Sequence, residues 1–305
     1  TGTGTGTTAT SGDSMVGGTG VDTFNISITG DPTGGHRTIS GINADVEKIL
    51  ISNYETGGIA NAGSEDHTFD ASLSDGVTTV GLSSSNAAGD TIFTNLKAIA
   101  NAEMSNGVGD LIVTHTDTAI KGTSDSSTLT VSGQTAGLFT DAASNTAGYG
   151  VETINVVSKG SANTVNITSQ RNALSTLNVS GDQNFTTTVT STALKTIDAS
   201  AFTGKLGVTY DAAVDLTVTG GSGDDTITFG STNTMTKGDV IDGGAGTDTL
   251  NVADDIATAT PLTNVSNVET LAITGDYDVT LATDATISDF DFTDTNQQIL
   301  TLNTG

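Results

Sequence analysis

VETINV at 151–156, LSTLNV at 174–179, LKTIDA at 194–199 and VDLTVT at 214–219 are four versions of one segment. They recur with a period of about 20 residues, which fits one coil of a parallel β-solenoid. Within each, apolar residues alternate with Thr, Asn or Asp, as Leu177 and Val179 do around Asn178, so one set turns inward and the other faces out. A single rung of this kind buries too little to stand alone, whereas rungs stacked at ~4.8 Å form a continuous narrow core. Related segments extend the pattern in both directions: VEKILI at 46–51, DTLNVA at 248–253 and VETLAI at 268–273. The expected fold is all-β, a parallel β-solenoid or β-roll with additional irregular β-rich segments and at most one or two short helices. Wound throughout at about 20 residues per coil, the chain would form a rod of roughly 15 coils and about 70 Å.

Composition agrees with that reading and narrows the function. Thr makes up about a fifth of the chain, far above average usage, and favours strands. Aromatic residues are only 4%, as a narrow aliphatic core requires. Nine Lys and Arg stand against 35 Asp and Glu, a net charge of −26, which argues against nucleic acid or an anionic membrane surface as partner. With no Cys, there is no disulfide framework, thiolate metal site or cysteine nucleophile. No apolar run approaches the length of a transmembrane helix. The start TGTGTGTTAT at 1–10 reads as a linker, as if the chain were cut from something larger.

Four regions are expected: 1–30, a linker plus a first glycine turn; 31–150, an irregular β-rich region; 151–252, the solenoid proper; and 253–305, a C-terminal β segment. In the second region the period blurs. There IFTNLKAIANAEM at 92–104 places Ile92, Leu96, Ile99 and Ala100 at helical spacing, which predicts a short helix.

Three stretches fit Gly-Gly-x-Gly-x-Asp-x-apolar-x without mismatch: GGTGVDTFN at 17–25, GGSGDDTIT at 220–228 and GGAGTDTLN at 243–251. Weaker copies precede two of them, one keeping Gly238, Asp239 and Ile241, the other Asp13 and Met15. Glycine admits tight-turn dihedrals and lets carbonyl oxygens converge, and Asp supplies a hard anionic oxygen. Stacked turns bring carboxylates of neighbouring coils within about 5 Å, where like charges repel and a divalent cation reverses the sign. Ca²⁺, with six to eight oxygen ligands, suits such a site better than Mg²⁺. The candidate ligands are Asp22, Asp225, Asp239 and Asp248, then Asp13 and Asp224, with Gly18, Gly20, Gly221, Gly223, Gly244 and Gly246 shaping the turns. The same turns without an ion are the plainer alternative, and Asp90 and Asp110, which lack the glycine pair, read as ordinary turns.

Signs of catalysis are lacking. His36, His67 and His115 are scattered with no HExxH, no GxSxG elbow is present, and Asp224 with Asp225 or Asp254 with Asp255 read as cation ligands or solvated loops. No enzyme is expected.

The nonapeptides resemble the calcium-binding repeats of RTX proteins. Interleaved with VETINV, LSTLNV and VETLAI in an acidic, cysteine-free chain, they make the sequence resemble the RTX-type, calcium-dependent surface-layer (S-layer) proteins of Gram-negative bacteria. The likeness covers 151–273 well, 1–30 less well, and the region between poorly. It implies type I secretion, folding on meeting Ca²⁺ outside the cell, self-assembly into a lattice or filament on the bacterial cell surface, and attachment to cell-surface polysaccharide through another region. No lipopolysaccharide-anchoring region or secretion tail is recognisable in this sequence. A calcium-stiffened stalk or ligand-binding segment of a large RTX adhesin is the alternative. An ice-binding Thr array, suggested by TTTVT at 186–190, is a more distant one.

Overall fold

The computed structural model describes residues 16–28, 37–40, 45–54, 66–86, 89–142, 149–212, 214–230, 235–236, 238–252, 261–262, 264–273, 278–281, 287–292 and 299–302. Strands alternate along the chain between two parallel sheets, so the backbone coils as a β-solenoid. The first sheet stacks eleven strands, from Thr23–Ile28 to Val265–Ser266, and the second thirteen, Arg37–Ser40 and Asp289–Phe292 standing at the two ends of its order. Pro261–Leu262, Asp278–Leu281 and Ile299–Leu302 pair as a third sheet, whose Leu262 joins the common core. Ten spacings of ~4.8 Å make the first sheet about 48 Å from edge to edge, short of the roughly 70 Å expected from even winding.

Alternation does what the sequence implies. In Thr153–Lys159 and Thr176–Gly181, Ile154, Val156, Leu177 and Val179 are buried while Thr153, Asn155, Thr176 and Asn178 are not. Identical positions stack in register, Thr153 over Thr176, Thr196, Thr217 and Val240. Inward residues of the second sheet, among them Phe185, Val189, Leu206, Val208 and Ile227, complete one continuous core. Each fully buried aliphatic side chain contributes about 1.5–3 kcal/mol. The few aromatics are used inside rather than avoided: Phe69 and Phe93 pair in register with ring centroids 5.6 Å apart, and Phe185, Phe202, Tyr210 and Phe229 are buried.

The region 31–150 belongs to the same solenoid. It supplies nine strands, from Arg37–Ser40 to Leu138–Ala142, to the same two sheets. Its period is hidden because coils vary in length: Lys48 stands over Thr79, and Thr79 over Asn101, so the first of these two coils is much the longer. The register of the strands is kept across both.

The helix expected within 92–104 is absent. Those residues form the strands Asp90–Leu96 and Asn101–Ser105. Register shifts between Phe93 and Leu96, where Asn95 takes a φ of 58°. Such a bulge adds a residue to the strand, so Ile92 faces outward while Leu96, four residues on, is buried, and the spacing that suggested one helical face joins opposite faces of a strand. Among the described residues the one helical element is the 3-10 turn Ala71–Leu73, and no helix is long and apolar enough to cross a membrane.

Candidate metal centre

Two of the three glycine turns stack directly. GGSGDD at 220–225 joins Thr217–Thr219 of the first sheet to Thr226–Phe229 of the second, and GGAGTD at 243–248 joins Val240–Asp242 to Thr249–Val252 one coil later. Asp224, Asp225 and Asp248, with Gly221, Gly223, Gly244 and Gly246, thus occupy one corner. Glycine is required by contact with backbone. A Cβ on Gly220 would strike the carbonyl oxygen of Gly243, one on Gly244 that of Gly221, and one on Gly246 that of Gly223. Gly244 and Gly246 also take positive φ, 95° and 136°, where glycine alone is unstrained.

The other candidates lie elsewhere. Asp22, with Gly18 and Gly20 at φ 119°, precedes the first strand of the first sheet. Asp239 precedes Val240–Asp242, at the corner opposite Asp225 and Asp248. Asp13 lies outside the described residues.

The aspartates have a structural task. Leu206 N–H donates to Asp225 Oδ1 at 2.8 Å, Asp225 N–H to Asp248 Oδ1 at 2.7 Å, and Asp248 N–H to Glu269 Oε2 at 2.7 Å. Each carboxylate reaches back one coil and takes the amide at its own register position. The corner before the first sheet repeats the device. Asp22 N–H donates to Glu47 Oε2 at 2.8 Å, Asp125 N–H to Glu152 Oε2 at 2.7 Å and Leu216 N–H to Asp239 Oδ1 at 2.7 Å.

A reading keyed to glycine pairs misses Glu47, Glu152 and Glu269. The signal that finds them is an acid followed by Thr or Lys and then an apolar residue, DTF, DTI and DTL beside EKI, ETI and ETL. Ahead of Glu47 and Glu269, Asp45 and Asn267 sit in left-handed conformations, φ 63° and 51°. Their carbonyl oxygens lie where a Cβ on Gly17 and on Gly243 would stand.

Do these residues fit an oxygen-ligated cation? Asp225 Oδ2 accepts from Gly221 N at 2.7 Å and Asp239 Oδ2 from Thr236 N at 2.6 Å, so all four oxygens of this pair are held by amides. Asp224 is exposed, bound to Lys205 Nζ at 2.8 Å and to Thr247 N at 3.1 Å; the hydrogen bond from Lys205 holds its carboxyl below the usual range. Asp248 differs. Gly244 N–H turns to Asp242 Oδ1 at 3.1 Å, which leaves Asp248 Oδ2 buried without a hydrogen bond, and Asp22 Oδ2 is in the same condition. Burial pushes Asp248 up to about 6, its bond from Asp225 N–H opposing and the charges of Asp225, Glu269 and Asp224 adding. Among the described residues no three His, Cys, Asp or Glu side chains gather closely enough to hold a metal by themselves. A cation therefore fits through Asp248 Oδ2 or Asp22 Oδ2 with backbone carbonyls, and does not fit through Asp225 or Asp239 as they stand.

Away from the corners, His67 and His115 are both in the interior. His115 Nε2 accepts from Ala100 N at 3.2 Å, and its Nδ1 stands 3.9 Å from Asp141 Oδ1. Both side chains are 3% exposed or less. Comparison with protein-family models, with curated proteins and with solved structures finds no match for this chain.

Proposed function

We propose that this protein is a structural component of a bacterial surface layer, which folds and self-assembles outside the cell into a lattice or filament in a Ca²⁺-dependent manner. The observation that supports the reading best is the corner in which two nonapeptide turns stack, with Asp248 Oδ2 buried and unsatisfied among three further carboxylates. Bound there, Ca²⁺ would supply the positive charge that this oxygen lacks, and Asp248 with neighbouring glycine carbonyls would hold it. The resemblance to RTX-type surface-layer proteins adds secretion by a type I system and attachment through another region. The reading assigns no catalysis. A linear stack of coils is a rigid spacer of adjustable length, a form suited to lattice building or to a stalk.

The test is one sample carried from chelator into millimolar CaCl₂ and followed by circular dichroism and electron microscopy. Ordered sheets or filaments that appear with calcium are the expected result. Calcium-dependent folding without assembly would replace the lattice by a calcium-stiffened adhesin stalk. Full β-structure in chelator, unchanged by calcium, would remove the calcium dependence.

A further inference from the structure

Over the coils from 174 to 273 the two sheets show solvent different faces. On the first, the outward row that runs through Asn155, Asn178, Asp198, Thr219 and Asp242 carries two carboxylates. On the second, the successive strands Phe185–Thr190, Leu206–Tyr210, Thr226–Phe229, Thr249–Val252 and Thr270–Ile273 point only Thr, Gly, Asn and Ala outward, a strip that ends where exposed Asp289 and Asp291 of the next strand stand beside Thr270 and Ala272. Their register is unbroken, with Thr188 over Thr209 and Thr228. The side chains are ordered by one another, Asn251 Nδ2 donating to Thr228 Oγ1 at 3.2 Å.

In a chain of net charge −26, two copies meeting through carboxylate-bearing faces repel. A flat uncharged strip is where two such rods approach without that cost, with Thr methyl groups for apolar contact and hydroxyls for hydrogen bonds. We propose that this five-strand strip of the second sheet is the side-by-side contact between two copies of the chain. The inference rests on the self-assembly reading above and names its surface. Five strands at ~4.8 Å and two rows ~7 Å apart make a patch of roughly 20 by 10 Å, well under the ~800 Å² per partner of a stable dimer. A single contact is therefore weak and becomes effective when repeated across an array.

The absence of cysteine makes the test direct. Thr209→Cys, at the centre of the strip, and Thr196→Cys, outward on the first sheet, are assembled in CaCl₂ and treated with a short bis-thiol-reactive cross-linker. Dimers are expected from Thr209→Cys and not from Thr196→Cys. The double variant Thr209→Asp/Thr228→Asp should keep the wild-type circular dichroism and lose ordered arrays. Wild-type arrays with no Thr209→Cys dimer, and arrays untouched by the double variant, would overturn this face and leave the assembly reading in place. A wild type that stays monomeric in CaCl₂ would overturn the assembly reading and this contact with it.

Discussion

Inside the solenoid, His115 and Asp141 are buried side by side and titrate in opposite senses. Ala100 N–H occupies Nε2, so the proton of the neutral ring sits on Nδ1, facing Asp141. Burial pushes His115 down to about 4. It pushes Asp141 up to about 6, with the bond from Val151 N–H opposing and the charge of Glu152 adding. As pH falls from 6.5 toward 4, the unfolded chain protonates its histidine while folded His115 stays neutral, which costs stability. As pH falls from 6 toward 3.8, folded Asp141 takes a proton before its unfolded counterpart, which adds stability. Each effect is worth up to about 3 kcal/mol, a tenfold change in proton affinity being worth about 1.4 kcal/mol, so the two nearly cancel. Asp141→Asn keeps an acceptor for Val151 N–H and removes only the compensating titration. Urea unfolding at fixed calcium should show this variant losing about 3 kcal/mol more than wild type as the pH is lowered through this window. Parallel pH profiles would mean that the Asp141 carboxyl is not pushed up by its surroundings.

Between coils, the unit of construction is an acid that reaches back to the amide of the preceding coil, and two kinds of corner deliver it. A glycine turn delivers Asp248, and the segment Gly150–Val151 delivers Glu152, whose extra methylene spans to Asp125 N–H at 2.7 Å. An acceptor oxygen is all that this contact needs. Glu152→Gln should therefore stay within about 0.5 kcal/mol of wild type, whereas Glu152→Ala should cost about 1 kcal/mol by stranding a part-buried amide; chemical denaturation distinguishes them. If Gln and Ala fall equally, the charge and not the hydrogen bond carries the contribution. The same corners explain what a sequence alone discloses. VETINV and LSTLNV are legible because Ile154, Val156, Leu177 and Val179 alternate cleanly, and the nonapeptide aspartates because glycine marks their turns. Strand 90–96 is not, because the bulge at Asn95 breaks the period of two. Glu47, Glu152 and Glu269 escape a reading keyed to glycine because a valine stands before each, and only the Thr-apolar or Lys-apolar pair that follows ties them to the aspartates of the glycine turns.

Across the whole molecule, a narrow aliphatic core works against a net charge of −26, so ions must influence stability in two separable ways. Diffuse screening acts through the Debye length, about 10 Å at 0.1 M salt, and should raise the thermal midpoint with any salt. Site binding acts by mass action and adds ~2.7 kcal/mol per independent site at 100 times the dissociation constant. Thermal unfolding in NaCl, MgCl₂ and CaCl₂ at matched ionic strength separates them. Calcium is expected to stabilise beyond the other two, since flexible carbonyl and carboxylate cages suit it and magnesium keeps its waters. Asp248→Asn should reduce that excess while leaving the NaCl response intact, because the amide keeps an acceptor for Asp225 N–H but loses the charge beside the buried oxygen. Coincident curves in the three salts would assign the acidic corners to backbone capping alone, with their charge served by the surrounding electrolyte.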